Sequence, residues 1–271
     1  MSGSAHTAVK HELLVRYLDA WTPAAVHRHR AAVFIGWAGL DGALTALRVF
    51  GEFADILAEQ PMTMLIPTTV STADLPATAG VVVSAVETPA VKAKKGTSVF
   101  GWFDQRDLAE VSTVAGVAGA EVLVAAPAAE PLELGLPLTC RVELVDGAGA
   151  AELLVFGTAA EKSLERFKEE LWALDEYAGI QFRDPADDEG GLSDISAVAH
   201  LGPLRRTLLR HLSAGDAMTV ASLRSWTLHE TVFRAGDATR AVQALLTAGS
   251  VTRDPPNGRL SADTLIKART A

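Results

Sequence analysis

Cysteine is nearly absent from this sequence, since Cys140 is the only one among 271 residues. A single thiol excludes an internal disulfide and a metal cluster built on cysteine, and we expect it to be packed in a strand. Long apolar runs are missing as well, and none reaches the roughly 18 residues that a membrane-spanning helix needs. The first ten residues are polar and lack the apolar segment of a signal peptide. The sequence therefore predicts a cytoplasmic protein without a membrane partner.

Several catalytic signatures are also absent. The sequence has no G-x-S-x-G motif of serine hydrolases and no phosphate-binding G-x-x-x-x-G-K-[ST] loop, which excludes those two kinds of active site. None of the seven histidines stands in a metal-ligand pattern with a neighbouring carboxylate. We therefore expect no resident metal ion.

Charge is unevenly distributed along the chain. The net charge is −9, yet residues 200–271 hold ten basic residues and only five acidic ones. The other 199 residues hold 14 basic and 28 acidic residues. An acidic body followed by a basic segment predicts two domains. We place an α/β domain at 1–184, a linker that begins with acidic and glycine residues at 185–199, and a second domain at 200–271.

The hydrophobic pattern predicts an α/β fold. An amphipathic helix over 8–21, ended by Pro23, precedes short apolar runs of the kind found in parallel strands buried on both faces. A hairpin around residues 146–149 and a late strand at 180–182 predict antiparallel strands at the end of a mostly parallel sheet. The first strand ends at the turn that begins at Gly36. Further strands are predicted at 61–66, 81–86, 97–103, 121–126, 138–145 and 152–156, with a helix at 161–174.

A glycine-rich turn separates the first apolar run from a helical segment at 43–50. Strand, glycine turn and helix is how an α/β domain presents backbone N–H groups to a nucleotide-like ligand. The spacing G-x-x-G-x-x-G differs from the G-x-G-x-x-G of dinucleotide binders, so a tight turn with close helix packing is the alternative interpretation. The candidate cofactor-binding residues are Gly36, Trp37, Ala38, Gly39, Asp41 and Gly42.

Polar residues at other strand ends complete the candidate site, because ligands of open α/β sheets lie beyond the carboxyl ends of the strands. Asp104 follows an aromatic run and is the candidate catalytic residue, which would orient a substrate amine or hydroxyl or take a proton. A helix cap is the alternative for Asp104. A nucleoside site usually has a carboxylate after the second strand, where this chain has Thr68 and Thr69.

Two further features have more than one interpretation. Lys10 and His11 lie near the start of the first helix, where a cation is unfavourable for the helix dipole. They are either solvated or in contact with an anion at the mouth of the site. Trp102 and Phe103 are either part of the core or a stacking platform beside Asp104.

The C-terminal segment predicts three helices and a short hairpin, a combination typical of a winged helix. Asp237 is expected to be the N-cap of the third helix. The hairpin is expected to pair 251–253 with 259–260 around an Asn-Gly turn. The three helices are predicted at 204–212, 219–228 and 238–247.

The third of these helices would be the reading helix of a nucleic-acid-binding module, in which arginines contact phosphates and a few side chains contact base edges. Many winged helices bind only proteins, which is the alternative. The candidate nucleic-acid-binding residues are Thr239, Arg240 and Gln243 in the helix and Arg253 and Arg259 in the wing.

Three stretches of the chain together carry a resemblance to a known family. They are Lys10-His-Glu-Leu-Leu14 through Tyr17-Leu-x-x-Trp21, then Phe34-Ile-Gly-Trp-Ala-Gly39, and then Leu153-Leu-Val-Phe156 through Phe167-Lys-Glu-Glu-Leu-Trp172 to Asp184-Pro185. The set resembles the three-Cys-motif partner proteins, a bacterial family with a class I methyltransferase-like fold. The family shows K-H-x-L-L-x-x-Y-L-x-x-W first, then Y-x-D-x-F-A-G-P-G, then a late strand and a helix ending in Leu-Trp.

The resemblance implies a Rossmann-like domain that binds S-adenosylmethionine at the glycine turn. The chain departs from the family there, since the family's aspartate falls on Ile35, its proline on Leu40 and its last glycine on Asp41. The missing aspartate and the missing acid after the second strand imply two lost contacts to the cofactor. Each charge-assisted contact contributes roughly 1.5–3 kcal/mol. Losing two would therefore weaken binding about a hundredfold or more.

Two functions follow from these expectations. The first is a methyltransferase-like scaffold with a degenerate cofactor site, which acts as a binding or regulatory partner through its winged helix. The resemblance implies a radical-type enzyme with a three-cysteine motif as one such partner, and nucleic acid is another. The second is an active S-adenosylmethionine-dependent methyltransferase, in which Asp41 or Glu87 replaces the missing acid.

Overall fold

The structure is a computed structural model that describes residues 5–28, 31–104, 108–128, 132–174, 179–187, 189–194 and 199–269. It is a mixed α/β fold built on one large sheet, followed by a smaller sheet and three helices. The helices are α1 (Ala5–Arg28), α2 (Gly39–Glu52), α3 (Ala54–Glu59), α4 (Leu108–Ala115), α5 (Glu161–Trp172), α6 (Gly202–Ala214), α7 (Val220–Glu230) and α8 (Ala235–Thr247). The strands are β1 (Ala31–Trp37), β2 (Met62–Pro67), β3 (Val81–Val86), β4 (Thr97–Asp104), β5 (Ala120–Pro127), β6 (Leu138–Val145), β7 (Ala151–Thr158), β8 (Gln181–Arg183), β9 (Leu192–Asp194), β10 (Met218–Thr219), β11 (Val251–Asp254) and β12 (Leu265–Ala268).

The large sheet has nine strands in the order β3-β2-β1-β4-β5-β7-β6-β8-β9. The strands from β3 to β5 pair in parallel, and β7, β6, β8 and β9 continue the sheet with antiparallel pairs. The predicted combination of a parallel set and late antiparallel strands is therefore confirmed. Because β7 runs against β5, its Glu152 lies opposite Pro127 at the carboxyl end of β5.

The two faces of the large sheet carry different cores. Phe34 and Phe100 face one side, where α1, α2 and α5 cover the sheet, and Ile35 and Val99 face the other side together with α4. Side chains alternate between faces along a strand, so both faces of β1 and β4 must be apolar to be buried. The sequences of the central strands are therefore continuous apolar runs, and the prediction that these strands are buried on both faces is confirmed.

The edge strand β3 departs from that prediction. Val82 is 57% exposed, and β3 alternates between partly buried and exposed residues. The expectation of burial on both faces is wrong for β3, because the strand has a neighbour on one side only. An apolar sequence alone does not distinguish an edge strand from a central one.

The first helix is longer than predicted. Helix α1 continues through Pro23 and ends at Arg28, so the predicted stop at Pro23 is wrong. Proline removes one backbone donor from a helix interior. The apolar face of α1 continues beyond it with Ala25 and Val26, which are buried in the core. Burial of this last stretch offsets the missing hydrogen bond.

The predicted hairpin of β6 and β7 is confirmed. Asp146 stabilises the turn, because its Oδ1 accepts the backbone N–H groups of Ala148 at 2.9 Å and Ala150 at 2.8 Å. Gly149 adopts a left-handed backbone with φ of 83°, which glycine tolerates without steric cost. The turn residues thus fix the register of the two strands.

The C-terminal part contains the three predicted helices, but its small sheet differs from the prediction. Strand β11 pairs with β12, and β12 also pairs with β10. The predicted pairing of 251–253 with 259–260 is therefore wrong. Asp237 is not the N-cap of α8 but its third residue, and its Oδ2 accepts the backbone N–H of Arg234 at 3.0 Å. Because this carboxylate caps the backbone of Arg234, the helix begins at Ala235, three residues before the predicted start.

The C-terminal helices pack against the large sheet's helix α5. The ring of Trp172 stacks on Phe233 at 5.3 Å between centroids, and its indole N–H donates to the carbonyl of Val232 at 3.0 Å. One hydrophobic cluster includes residues of the large sheet and of α6, α7 and α8. Strand β9 lies inside the predicted linker and extends the large sheet. The division of the chain into two domains stays a prediction.

Candidate functional site

The glycine turn lies at the carboxyl edge of the parallel strands. Strand β1 ends at Trp37 and α2 begins at Gly39, so Ala38 alone separates them. Gly39 has φ of 73°, and a side chain built there would have no neighbour within 4 Å. The free backbone N–H groups of the first turn of α2 are therefore at this edge, beside open space.

The predicted turn over 36–42 is too long, because Gly36 and Trp37 belong to β1 and Asp41 and Gly42 belong to α2. Their side chains or backbone positions serve packing or face solvent. Gly36 and Trp37 are buried, and Trp37 packs with the core on the α4 face of the sheet. A Cβ on Gly42 would lie 2.8 Å from the Cβ of Ala38, so Gly42 is needed for α2 to pack on the turn. Asp41 is exposed. Of the predicted set, only Gly39, Ala38 and Asp41 present surface to the edge.

Asp104 is held by a buried lysine. The Nζ of Lys10 lies 3.0 Å from both carboxylate oxygens of Asp104 and 2.8 Å from Oε1 of Glu152. Lys10 is only 4% exposed. The interpretation of Lys10 as a solvated helix end is therefore wrong, and the anion that it contacts is a pair of carboxylates in the protein itself.

The folding of α1 explains how a lysine comes to be buried there. Val9, Leu13 and Leu14 pack against the core, so the flanking Lys10 extends its aliphatic stem over the sheet. Its ammonium group then reaches the carboxyl edge of the sheet. Lysine side chains commonly pack their aliphatic stem on apolar surface and place only the charged end in a polar environment. Glu152 was not among the predicted site residues, because only the antiparallel register of β7 against β5 brings this acid to the carboxyl edge of the parallel strands.

One ammonium between two carboxylates defines the chemistry of this edge. Charge-assisted bonds at these distances are strong, and they occupy both oxygens of Asp104. A carboxylate fixed in this way is not a free base for a substrate proton. The predicted catalytic role of Asp104 therefore requires that Lys10 moves away first.

His11 lies beside this ion cluster and differs from Lys10. Its side chain is partly buried, and burial lowers the pKa of His11, while the charges of Asp41 and Asp104 act to raise that pKa. The imidazole is thus mainly neutral at neutral pH. His11 also lines a groove of about 450 Å³ between α1 and α2, together with Thr45 and Arg48.

Among the residues that the structure describes, the ends of β2 and β3 supply no buried acid. Thr68 and Thr69 follow β2 and Glu87 follows β3, and all three are exposed. Trp102 and Phe103 are fully buried, as the core interpretation requires. Residues 105–107, which follow Asp104, lie outside the described residues.

The predicted reading helix α8 exposes only part of its candidate set. Thr239 is partly buried, whereas Arg240 and Gln243 are exposed. The guanidinium of Arg240 is bound to Oδ1 of Asp237 at 2.5 Å, and Arg234 binds the other oxygen at 3.1 Å. Asp237 therefore neutralises much of the positive charge in the first turns of α8.

The two wing arginines have different surroundings. Arg253 donates to the backbone carbonyls of Pro255 at 3.0 Å, Gly258 at 2.9 Å and Arg259 at 3.2 Å. Arg253 thus holds the loop between β11 and β12 in shape. Arg259, in the middle of that loop, is exposed.

A groove of about 540 Å³ lies between α5 and the start of α8. Two carboxylates of α5, Glu165 and Glu169, face it from one side. The proximity of α5 and α8 was not predicted, because nothing in the residue order indicates that the two helices meet. The groove is also lined by Arg224, Arg234, Gly236, Asp237 and Arg240.

Comparisons of the chain with family models, with curated proteins and with solved structures found no match. Within the ranges that the structure describes, none of the helices is both long and apolar enough to cross a bilayer. In the same ranges, no three or more histidine, cysteine, aspartate or glutamate side chains converge as metal ligands do. A function must therefore be inferred from the geometry of the carboxyl edge of the parallel strands and of the surface around α8.

Proposed function

We propose that the protein is a methyltransferase-like scaffold whose cofactor edge is closed by a lysine, and that it acts by binding a partner through a C-terminal winged helix. The observation that carries this proposal is the contact of Lys10 with Asp104 and Glu152. These acids lie where an active enzyme would grip its cofactor or substrate. Here they bind a cation of the protein instead.

The residues of the edge fit S-adenosylmethionine poorly. The cofactor carries a cationic amino group and ribose hydroxyls, both of which call for accessible carboxylates. Asp104 and Glu152 are engaged by Lys10, and the position of the family's aspartate is occupied by Ile35, which is fully buried in the core. We therefore derive no methyl-transfer step for this chain.

The scaffold itself supports the proposal in another way. The parallel strands, the late antiparallel strands and the left-handed Gly39 before α2 agree with what the resemblance to the three-Cys-motif partner proteins implies. The architecture is thus kept while the polar groups for the cofactor are replaced. A radical-type enzyme with a three-cysteine motif remains the protein partner that this resemblance suggests.

Calorimetry with S-adenosylmethionine tests the closed edge. We expect no heat of binding at millimolar cofactor, which corresponds to a binding free energy weaker than about −4 kcal/mol. The alternative function, an active methyltransferase, is favoured by the open space beside Gly39. Micromolar binding that disappears in Gly39→Arg would favour that alternative and would contradict the closed cofactor edge.

The C-terminal helices and small sheet support a nucleic-acid-binding winged helix. Helix α8 is the reading helix of this proposal, with Gln243 as its exposed polar contact and Arg259 as the exposed wing cation. Sequence analysis also included Arg240, but its pairing with Asp237 reduces the charge that Arg240 offers to a phosphate.

Fluorescence anisotropy with a labelled DNA duplex tests this part. We expect binding that weakens as salt rises, because arginine–phosphate contacts release counterions. Arg259→Ala should weaken binding and flatten the salt dependence, whereas Arg48→Ala, on α2, should leave both unchanged. Affinity that is indifferent to salt and to Arg259→Ala would instead favour a winged helix that binds proteins.

A further inference from the structure

Two glutamates of α5 face the proposed reading helix. Glu165 and Glu169 are one helical turn apart and line the groove of about 540 Å³ whose other wall includes Gly236 and Arg240 of α8. Residues four apart lie on the same helix face. The two carboxylates therefore point at the same stretch of α8, its first two turns.

Packing fixes the position of these carboxylates. Leu164, Phe167 and Leu171, on the opposite side of α5, are fully buried against the core. Glu165 is partly buried and Glu169 is exposed. The acids thus sit on a rigid element, and their distance from α8 is set by the fold.

The charges of the groove balance. Three arginines are present, but Arg234 and Arg240 are already bound to Asp237. The remaining arginine, Arg224, lines the groove together with both glutamates of α5. The amino-terminal end of α8 therefore lacks the positive potential that attracts a phosphate backbone.

We propose that Glu165 and Glu169 are negative determinants of nucleic-acid binding. They repel the phosphate backbone from the first turns of α8, so that a duplex engages the protein through the later part of the helix, at Gln243, and through Arg259 of the wing. Binding is consequently weaker than the basic composition of the C-terminal segment implies. This inference rests on the proposed nucleic-acid function of the winged helix.

The size of the effect follows from the charges. A unit charge about 7 Å from a phosphate in water changes affinity by roughly threefold. Two glutamates therefore lower affinity by about tenfold at low salt. At about 0.5 M salt the screening length falls to roughly 4 Å, and the difference should shrink to less than about twofold.

The test compares three proteins by anisotropy with the same mixed-sequence DNA duplex at low and high salt. The first is the wild-type chain and the second is E165Q/E169Q, which removes both charges and keeps the side-chain shape. The third is the matched control E52Q/E59Q, which makes the same change of net charge at exposed glutamates of α2 and α3. Circular dichroism confirms that the three proteins are equally folded.

The inference predicts that E165Q/E169Q binds the duplex about tenfold more tightly than wild type at low salt, and that E52Q/E59Q changes affinity by less than about threefold. An equal increase in both variants would show that only net charge matters and would overturn the inference, while the proposed function would stand. Duplex binding detected for E165Q/E169Q alone would support repulsion by the glutamates, but it would contradict the proposed nucleic-acid function of the wild-type protein. If none of the three proteins binds, the proposed function fails, and this inference fails with it.

Discussion

Lys10 is a buried, charged residue that contacts two carboxylates. Its ammonium is 4% exposed and holds two carboxylates, so Lys10→Met would remove the buried cation that both of them contact. Removing one partner of a buried ion pair typically costs about 3–5 kcal/mol of unfolding free energy. We expect a loss of that size in denaturant unfolding.

The control for this prediction is Lys162→Met, which removes an exposed lysine at the start of α5. Surface changes of this kind typically alter stability by about 0.5 kcal/mol or less. Adding Asp104→Asn and Glu152→Gln to Lys10→Met should recover part of the loss, because the two carboxylate charges that Lys10 binds are then removed with it. Equal stability of Lys10→Met and Lys162→Met would contradict the ion cluster.

His11 allows a prediction about pH. Burial lowers the pKa of His11 in the folded protein below its ordinary 6.5. As pH falls through 6.5, the unfolded chain therefore binds a proton that the folded protein does not, and stability declines until the lower folded pKa is reached. His11→Gln should lose less stability than wild type between about pH 7.5 and pH 5.

Denaturant unfolding at several pH values measures this difference, and NMR titration of the imidazole gives the folded pKa directly. The matched variant is His27→Gln, since His27 is an exposed histidine of the same helix. It controls for the loss of an imidazole from α1 at a position outside the ion cluster. A titration of His11 at or above 6.5 would refute the assignment of a buried, neutral imidazole.

At the scale of elements, Lys168 joins α5 to the end of α7. Its fully buried Nζ donates to the carbonyls of Leu228 at 2.5 Å and Phe233 at 3.1 Å, and also to Thr231. Burial lowers the pKa of Lys168, while electrostatic interactions with Cys140, Asp184 and Asp237 act to raise it. The lysine satisfies carbonyl groups that the end of a helix leaves without partners.

Lys168→Met tests this junction, because methionine fills similar volume but donates no hydrogen bond. Each buried acceptor left without a donor costs about 1–3 kcal/mol, so three of them correspond to about 3–9 kcal/mol. We expect a loss near the lower end of that range, because the variant no longer buries a charged ammonium group. Chemical denaturation measures the loss, with Lys162→Met on the same helix as the control. If Lys168→Met has the same unfolding free energy as the wild type, the hydrogen bonds of Lys168 do not stabilise the junction.

At the scale of the whole molecule, one hydrophobic cluster extends from the central sheet into α6, α7 and α8. Segments that share a core of this kind unfold together, whereas domains linked by a small interface unfold separately. We expect a single transition, with the same midpoint by far-UV circular dichroism and by tryptophan fluorescence. Two separated transitions would support the independent domains that the composition predicted.

Much of the fold was predictable from local pattern. The apolar runs of β1, β2, β4 and β5 and the Asp146 turn identify a parallel set followed by a hairpin, because strand burial and turn chemistry are encoded in neighbouring residues. The failures occurred where a distant contact decided the outcome. Pro23 lies inside α1 because the helix beyond it is buried. Strand β11 pairs with β12, which begins at Leu265, rather than with the predicted partner at 259–260.

The sequence by itself determined the apolar core, the strands and helices, and the position of the glycine turn, since these depend on hydrophobic period and backbone freedom. Only the tertiary structure decided that Lys10 closes the carboxyl edge, that Glu152 joins it, and that Glu165 and Glu169 face α8. The physical reason is that an ion pair or a repulsion depends on distances across the fold. Register and helix packing set those distances, and residue order does not reveal them.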